Sequence, residues 1–215
     1  MKITPPRLAK HLHENIPFQD IVRNNEEDLT EHAFKSQRID GWKRNNMSIQ
    51  SCTFSGCMFT GCSIKKSQFS DVIFRNCDLS NMNLTGCGFH RVEFIECKLM
   101  GTNLQDGIFN HILFQECKGD YLNLSTSKLN YVNFDRSTLT GMAMENCKIT
   151  HINFENCNLK EAEFYHTPLK GIDFTGSDIS GIRVSLINSS ELKGATVTSL
   201  QALELARMLG IDVKD

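Results

Sequence analysis

The chain has 215 residues, 40% of them hydrophobic, and its formal net charge at pH 7 is −2. The length fits one domain with small end caps, and the near-neutral charge lacks the basic excess of a nucleic-acid-binding protein. No run of about 18 apolar residues is present, and the N-terminal residues are too polar for a secretory signal. We therefore expect a cytoplasmic protein that does not enter a membrane and does not bind nucleic acid directly.

Residues 1–28 precede the regular part of the sequence and predict an N-terminal cap or linker. Thr4, followed by two prolines, is typical of a helix start, and Pro17 marks the place where that helix would end. Its apolar face would carry Leu8, Leu12 and Ile16. We expect this helix to cover the open end of the repeat that follows, and a partner-binding arm is the alternative.

From residue 29 onward a phenylalanine recurs every twenty residues, and an apolar residue stands at nearly every fifth position. Arg44 and Gly119 are the two clear exceptions. A helix repeats every ~3.6 residues and a strand every ~2, so neither explains a period of five inside a period of twenty. A fixed period indicates stacked repeats that bury their faces against each other. The phenylalanines are Phe34, Phe54, Phe74, Phe94, Phe114, Phe134, Phe154 and Phe174.

Four five-residue units in each period predict a four-sided coil, so that residues 29–187 form an all-β solenoid of about eight coils spaced by about 4.8 Å. Nine cysteines lie two residues before a periodic apolar residue, in a slot that they share with small and β-branched residues. We interpret them as small buried residues rather than as a disulfide framework or a metal site. After Val184 the phase is lost, and Leu192 and Val197 restart it on a shifted frame.

Residues 188–215 predict a C-terminal α-helix. Thr198 and Gln201 form a capping box, and Gly210 lies where a glycine cap belongs. The apolar residues are spread too widely around this helix for one buried stripe. We therefore expect one face to cap the solenoid and the other to form a homodimer, and a cap without dimerisation is the alternative. The predicted interface residues are Leu200, Leu203, Leu205, Met208 and Leu209.

One side of the predicted solenoid, the Phe side, is defined by the phenylalanine ladder. Its outward positions are mostly acidic, whereas the neighbouring fourth side, with its periodic apolar residues running from Ile49 to Leu169, carries more lysine and arginine. Three aliphatic residues also point outward on the Phe side and offer apolar contact. We expect the Phe side to bind a partner, and a solvated charged face without a partner is the alternative. Its candidate residues are Glu93, Glu96, Glu116, Asp135, Glu155, Asp173, Ile73, Ile95 and Leu113.

Catalysis needs convergent groups in a pocket, and a solenoid filled by its own side chains has none. The best candidates for chemistry are His90, His111 and His151 on the fourth side. His111 and His151 lie two coils apart, about 9.6 Å, with Tyr131 between them, and this is too far for two ligands of one metal ion. We therefore predict no catalytic site, no metal site and no cofactor.

The five-residue units NMNLT, GTNLQ, YVNFD and GIDFT resemble the pentapeptide-repeat motif A-[DN]-L-x-x, and this resemblance covers most of the chain. It implies a right-handed quadrilateral β-helix, and parallel crossovers generally have that hand. The C-terminal stretch QALELARMLGIDV resembles the last helix of the Qnr-type quinolone-resistance proteins, and AFKSQRI resembles the stretch with which their repeat begins.

The resemblance to the Qnr type implies a homodimer through the C-terminal helix. It also implies a rod that mimics duplex DNA, binds DNA gyrase or topoisomerase IV and protects the enzyme from fluoroquinolones. Some members of that type interrupt their coils with loops that contribute to protection, and residues 29–184 contain no such insertion. The alternative is a structural or scaffolding rod that binds another protein.

Overall fold

The computed structural model describes residues 1–23, 28–185, 190–208 and 210–214. Short parallel strands are stacked between helix α1 (Phe18–Arg23) and helix α2 (Ser199–Met208). The predicted β-solenoid, with its short N-terminal segment and its C-terminal helix, is confirmed. The strands are β1 (Asp28–Thr30), β2 (Ala33–Lys35), β3 (Arg38–Asp40), β4 (Lys43–Asn45), β5 (Ser48–Ser55), β6 (Met58–Thr60), β7 (Ser63–Lys65), β8 (Gln68–Arg75), β9 (Gly88–Ile95), β10 (Ile108–Gln115), β11 (Lys128–Asp135) and β12 (Lys148–Glu155).

The strands pair in parallel at the twenty-residue offset that the sequence predicts. Phe94 pairs with Phe114, and Phe114 pairs with Phe134, so each phenylalanine lies directly over the next. From Phe34 to Phe154 the rings stack with centroids 4.6 to 5.2 Å apart. All eight ladder phenylalanines are buried, and they form one side of a continuous core that the periodic apolar residues of the other sides complete.

Turns at the corners explain why asparagine and aspartate precede so many of the periodic apolar residues. The Asp78 carboxylate accepts a hydrogen bond from the N–H of Ser80 at 3.0 Å, and Asn103 does the same for the N–H of Gln105. Such Asx turns hold the backbone in a tight bend without help from a second strand. The same bond is made by Asn83, Asn123, Asn158, Asp173 and Asp178.

The cysteine slot has a role beyond filling space. All nine cysteines are buried and free of disulfides, as the interpretation of their spacing requires. The Cys117 thiol donates to the carbonyl oxygen of Phe94 at 3.3 Å, and Ser137 bonds the carbonyl of Phe114 from the equivalent place one coil later. On this side of the solenoid the slot therefore favours small residues with a hydrogen-bond donor, namely Cys57, Cys77, Cys97, Cys117, Ser137, Cys157 and Ser177. Burial raises the pKa of the Cys117 thiol to about 12, so this thiol is neutral.

Two coils lack an apolar residue at a periodic position, and neighbouring side chains fill the space that is left. Where the half-buried Arg44 takes the place of an apolar residue, Trp42 in the preceding slot is buried and fills the interior. Where Gly119 leaves a gap, Leu139 of the next coil reaches to 3.0 Å from the point that a Cβ would occupy, with Leu122 at 3.7 Å. The core therefore stays filled across both exceptions to the repeat.

The predicted helix between Thr4 and Pro17 is wrong, and the helix that caps the open end begins just after it. Helix α1 spans Phe18–Arg23, and the N–H of Asp20 donates to the carbonyl of Pro17. Phe18 is buried and packs against the end of the core, where its ring centroid lies 4.6 Å from that of Trp42. Phe18 was missed because it stands outside the twenty-residue register.

Residues 4–13, the N-terminal strap, run along the solenoid instead of forming a helix. The N–H of Thr4 donates to His111 Nδ1, and the N–H of Ala9 donates to Ser51 Oγ. The two acceptors, His111 and Ser51, are sixty residues or three coils apart. Three coils measure about 14 Å. Five helical residues rise only about 7.5 Å, whereas five extended residues span about 17 Å. Only an extended segment can make both contacts, and this overrides the local helix signal.

The C-terminal coil is three residues longer than the others. Asp173 bridges to Thr196 at an offset of twenty-three residues, and this accounts for the shifted frame after Val184. Helix α2 follows, and its predicted capping box is confirmed, because the N–H of Thr198 bonds Gln201 Oε1 at 2.8 Å while the N–H of Gln201 bonds Thr198 Oγ1 at 3.2 Å. Gly210 has φ 77°, as a glycine cap requires.

Candidate protein-binding surface

The outward residues of the Phe side form two straight columns, because β8 to β12 pair in register along this side. Asp173 continues the first column on the next coil, where it bridges to Thr196. Glu96 and Glu116 follow the strands at the adjacent corner, both with positive φ. The first column is Ile73, Glu93, Leu113, Asn133 and Asn153, and the second is Arg75, Ile95, Gln115, Asp135 and Glu155.

The exposure of the predicted partner-binding residues is uneven. Ile95 is only 8% exposed and offers little apolar surface, contrary to expectation. Its neighbours in the column, Arg75 and Gln115, are longer side chains that can cover it. Asp135 is also 8% exposed. The half-buried candidates are Ile73, Glu93 and Leu113, and the exposed ones are Glu96, Glu116, Glu155 and Asp173.

Arg136 neutralises part of the acidic Phe side. Its guanidinium lies 2.7 Å from Glu116 Oε1 and 2.9 Å from Asp135 Oδ2, and these contacts raise the pKa of Arg136. The pairing of Arg136 with Glu116 and Asp135 was not among the predictions. A signal for it was present, since Arg136 follows Asp135 directly and stands twenty residues after Glu116, which places the three side chains at one corner.

Two other carboxylates of the Phe side have shifted pKa values. Burial raises the pKa of Glu93, and the nearby Arg75 counteracts part of that rise. The pKa of Asp173 is lowered by the hydrogen bond that it accepts from the N–H of Thr175, so it remains ionised. In the described parts of the chain, no ion pair involves Glu96, Glu155 or Asp173. These three exposed carboxylates are available to a cationic partner surface.

The fourth side presents an aromatic stack partly covered by the strap. Tyr131 lies between His111 and His151, with ring centroids 4.7 Å and 4.4 Å away, so the predicted order is confirmed. His90 lies 6.4 Å from His111, and burial is the main cause that lowers its pKa. Over the residues that the structure describes, no group of three or more histidine, cysteine or acidic side chains is arranged to hold a metal ion.

Helix α2 divides its apolar residues between two faces. Leu205 and Met208 are half-buried and pack against the core at the end of the solenoid. Leu200 and Leu203 are 70% and 39% exposed. Leu209 lies outside the described residues. Among the predicted interface residues that the structure describes, Leu200 and Leu203 are therefore exposed, whereas Leu205 and Met208 pack against the solenoid.

Gln201 fixes helix α2 to the solenoid, which the capping-box pattern alone does not reveal. Its Nε2 donates to the carbonyl oxygens of Phe174 at 3.0 Å and Ser177 at 2.8 Å. The helix is thereby bonded to the last residue of the phenylalanine ladder.

Among the described residues, no helix has both the length and the apolar character needed to cross a membrane.

Two family profiles match the chain. The profile described as "Pentapeptide repeat region" matches residues 87–164 and 128–197, and the profile described as "Pentapeptide repeats (8 copies)" matches residues 46–76 and 67–106. No match was found among curated proteins.

Several solved structures are similar. Trypsin-treated QnrB1, a plasmid-mediated fluoroquinolone resistance protein, is 19% identical, with 85% of this chain and 99% of that chain covered and a TM-score of 0.41. Full-length QnrB1 is 16% identical, with 83% and 100% covered and a TM-score of 0.35. HetL, a pentapeptide repeat protein involved in heterocyst differentiation regulation in the cyanobacterium Nostoc sp. strain PCC 7120, is 14% identical, with 84% and 97% covered and a TM-score of 0.38.

Proposed function

Because the chain belongs to the pentapeptide-repeat family, we propose that it is a protein-binding rod that occupies the DNA-binding groove of a type II topoisomerase, DNA gyrase or topoisomerase IV, in place of DNA. The observation that carries this proposal is the row of carboxylates along the Phe side. A groove that binds phosphates attracts a surface with regularly spaced negative charge.

The spacing of these carboxylates approaches that of DNA. Six of them lie between Glu93 and Asp173, over four coils or about 19 Å. That is about one negative charge per 3 Å, and about one per 4 Å after the charge of Arg136 is subtracted, against about 3.4 Å for one DNA strand. The charge density of the Phe side is therefore that of a single strand rather than of a duplex.

A homodimer through helix α2 would extend this surface, since two solenoids joined at their C-terminal ends double the length of the acidic row. The exposed Leu200 and Leu203 support such an interface. We propose that the dimer acts in the cytoplasm without an enzymatic activity of its own. We further propose, from the resemblance of its C-terminal helix to the Qnr type, that it protects the topoisomerase from fluoroquinolones.

Supercoiling by DNA gyrase, measured at increasing protein with and without ciprofloxacin, tests the proposal. We expect inhibition of supercoiling, relief of ciprofloxacin inhibition, or both. Glu96→Lys should raise the concentration needed by about tenfold, because it reverses a charge in the row. Glu161→Lys is the matched control, since Glu161 is also exposed and also has positive φ but lies on another corner.

Absence of any effect on gyrase and on topoisomerase IV would refute the topoisomerase function. Equal losses from Glu96→Lys and Glu161→Lys would show that the Phe side is not the contact. The second candidate is a scaffolding rod with a different protein partner, which the neutralisation of Glu116 and Asp135 by Arg136 favours. Affinity capture with the wild-type rod would then retain a protein other than a topoisomerase, and Glu96→Lys would not release it.

A further inference from the structure

The last eight-residue strand of the large sheet has an open edge. Strands β5, β8, β9, β10 and β11 each pair on both sides, whereas β12 pairs only with β11. Within the part of the chain that the structure describes, no backbone hydrogen bond joins Lys148–Glu155 to residues 168–175, the segment that should lie over it. In the preceding coil, by contrast, the backbone N–H of Arg136 at the corner donates to the carbonyl of Glu155 at 2.8 Å.

Pro168 accounts for part of the open edge. The N–H of Lys148, at the equivalent position one coil earlier, bonds the carbonyl of Ser127, whereas Pro168 has no N–H to donate to the residue before β12. The N–H groups of Leu169, Gly171 and Phe174 bond the carbonyls of Glu191, Gly194 and Thr196 at 2.8 to 2.9 Å, as N–H groups at these positions bond the following coil elsewhere. The segment is therefore bonded to the C-terminal coil, and in the described chain it makes no backbone hydrogen bond to β12.

The open edge widens into a wedge at the corner of the fourth side. On the Phe side the ladder is only slightly stretched, since the rings of Phe154 and Phe174 lie 5.9 Å apart. Towards the fourth side, Ile149 and Ile152 are half-buried, although their counterparts Leu129 and Val132 are 1% and 0% exposed. A cleft of about 740 Å³ lies there, bounded by β12 on one side and by 168–172 on the other.

The walls of the cleft are basic. Its lining includes the lysines Lys2 and Lys170 together with His151 and Tyr131, and none of its lining residues is a carboxylate. Met1 and Lys2, which precede the N-terminal strap, line the cleft. This stretch is a poor occupant of a basic cleft, because Lys2 and, in the strap, Arg7 and Lys10 make it cationic. An acidic occupant would be attracted to the cleft.

We propose that this cleft is a docking site for an extended acidic segment of a partner protein, which adds to the open edge of β12 as a further parallel or antiparallel strand. Unpaired edges recruit strands through main-chain hydrogen bonds, and pockets select alternate side chains. Here Ile149 and Ile152 favour apolar side chains on the inner face of the segment. Lys170 and Lys2 favour carboxylates on its outer face.

An acetylated and amidated eight-residue peptide of alternating valine and glutamate, carrying a fluorophore, tests this site by fluorescence anisotropy. We expect saturable binding and slower hydrogen exchange of the backbone amides in 148–153. Lys170→Glu should weaken binding by about tenfold or more through charge repulsion. Lys160→Glu, at an exposed lysine outside the cleft, should leave affinity within about twofold.

Three results would overturn the proposal. The first is no binding at millimolar peptide, or tighter binding of a lysine–valine peptide of the same pattern. The second is an equal loss of affinity in Lys160→Glu and Lys170→Glu, which would indicate unspecific attraction. The third is binding that leaves the amides of 148–153 as exchangeable as before, which would place the peptide elsewhere. Glu96→Lys, on the Phe side, should bind the peptide like the wild type.

Discussion

The backbone N–H of Arg7 donates a 2.7 Å hydrogen bond to Oδ1 of Asp71 and so ties the N-terminal strap to the outside of the solenoid. Asp71 is 5% exposed, and its other oxygen lies 2.6 Å from Nη2 of Arg91. Burial alone would raise the pKa of Asp71, but the hydrogen bonds from Arg91 and from the N–H of Arg7 hold that pKa below its ordinary value. Asp71 therefore binds both the N-terminal strap, through Arg7, and strand β9, through Arg91.

Replacing Asp71 by alanine should release the strap and destabilise the solenoid. Arg91 would lose its partner at a site where its side chain is 19% exposed, and breaking a largely buried pair costs about 3–5 kcal/mol. We expect a drop of that order in the free energy of unfolding in urea, together with faster trypsin cleavage after Arg7 and Lys10.

The matched control is Glu163→Ala, which breaks the exposed pair with Arg183 and should cost below about 1 kcal/mol. Cleavage after Arg7 and Lys10 at the wild-type rate in Asp71→Ala would show that other contacts hold the strap. Because the folded pKa of Asp71 is depressed, its stabilising contribution is present at neutral pH and is lost as the pH falls through that pKa.

The buried thiols predict a loss of stability at alkaline pH. Burial raises the pKa of Cys52, Cys87, Cys147 and Cys157 from 9.0 to about 11. A thiol with a raised folded pKa stabilises the fold fully below pH 9, and the contribution falls as the pH rises towards 11, because the unfolded thiol ionises first. Each such thiol should lower the free energy of unfolding by about 1.4 kcal/mol per pH unit in this window.

Urea denaturation at closely spaced pH values between 8 and 11 measures this slope. Cys117→Ser is the informative variant, because Ser137 makes the equivalent bond to a carbonyl one coil later and serine is therefore compatible with the slot. The decrease in the free energy of unfolding per pH unit should be smaller in Cys117→Ser by the contribution of one thiol, since serine does not ionise. An unchanged slope in Cys117→Ser would mean that the Cys117 thiol does not contribute to the alkaline loss.

The repeat and its end cap could be predicted because their determinants are local or strictly periodic. The ladder from Phe34 to Phe174 sets the coil length, and Thr198 and Gln201 lie three residues apart and bond each other. The strap could not be predicted, since it depends on acceptors such as Ser51 and His111 that lie 42 and 107 residues away in the chain. Local propensity therefore favoured a helix that the long-range contacts do not allow.

The candidate surfaces were predicted only in part for a related reason. Register places an outward residue in a column but does not say what covers it, so the low exposure of Ile95 and the contacts of Arg136 required the structure. The open edge had a signal in Pro168, the proline in a strand position of the fourth side. Its consequence required the structure, because no sequence pattern shows that the rest of 168–175 makes no backbone hydrogen bond to β12.

Replacing Phe114 by alanine should remove a central part of the core. Phe114 is 0% exposed and lies between Phe94 and Phe134, at centroid distances of 4.8 Å and 4.6 Å. Truncations of this kind cost about 3–5 kcal/mol, measured as the free energy of unfolding in urea. Gln115→Ala, at the outward neighbour, should cost about 1 kcal/mol or less. A loss below about 1 kcal/mol in Phe114→Ala would mean that the coils collapse around the missing ring.

Helix α2 provides the test of the proposed homodimer. The exposed pair Leu200 and Leu203 is the right target, since Leu205 and Met208 pack against the core and their replacement would damage the cap itself. Leu200→Glu combined with Leu203→Glu places two charges in the predicted interface, and an unpaired buried charge is strongly unfavourable. We expect light scattering to show a dimer for the wild type and a monomer for this variant, with the same unfolding midpoint at low protein concentration.

Lys193→Glu is the matched control for the dimer test. It changes the net charge by the same two units at an exposed position outside helix α2, so it should leave the dimer intact. A wild type that is monomeric at all concentrations, or a dimer that survives both leucine replacements, would limit helix α2 to capping the solenoid. The acidic row would then be that of one solenoid, about 19 Å long between Glu93 and Asp173, and any topoisomerase groove that it fills would have to be correspondingly short.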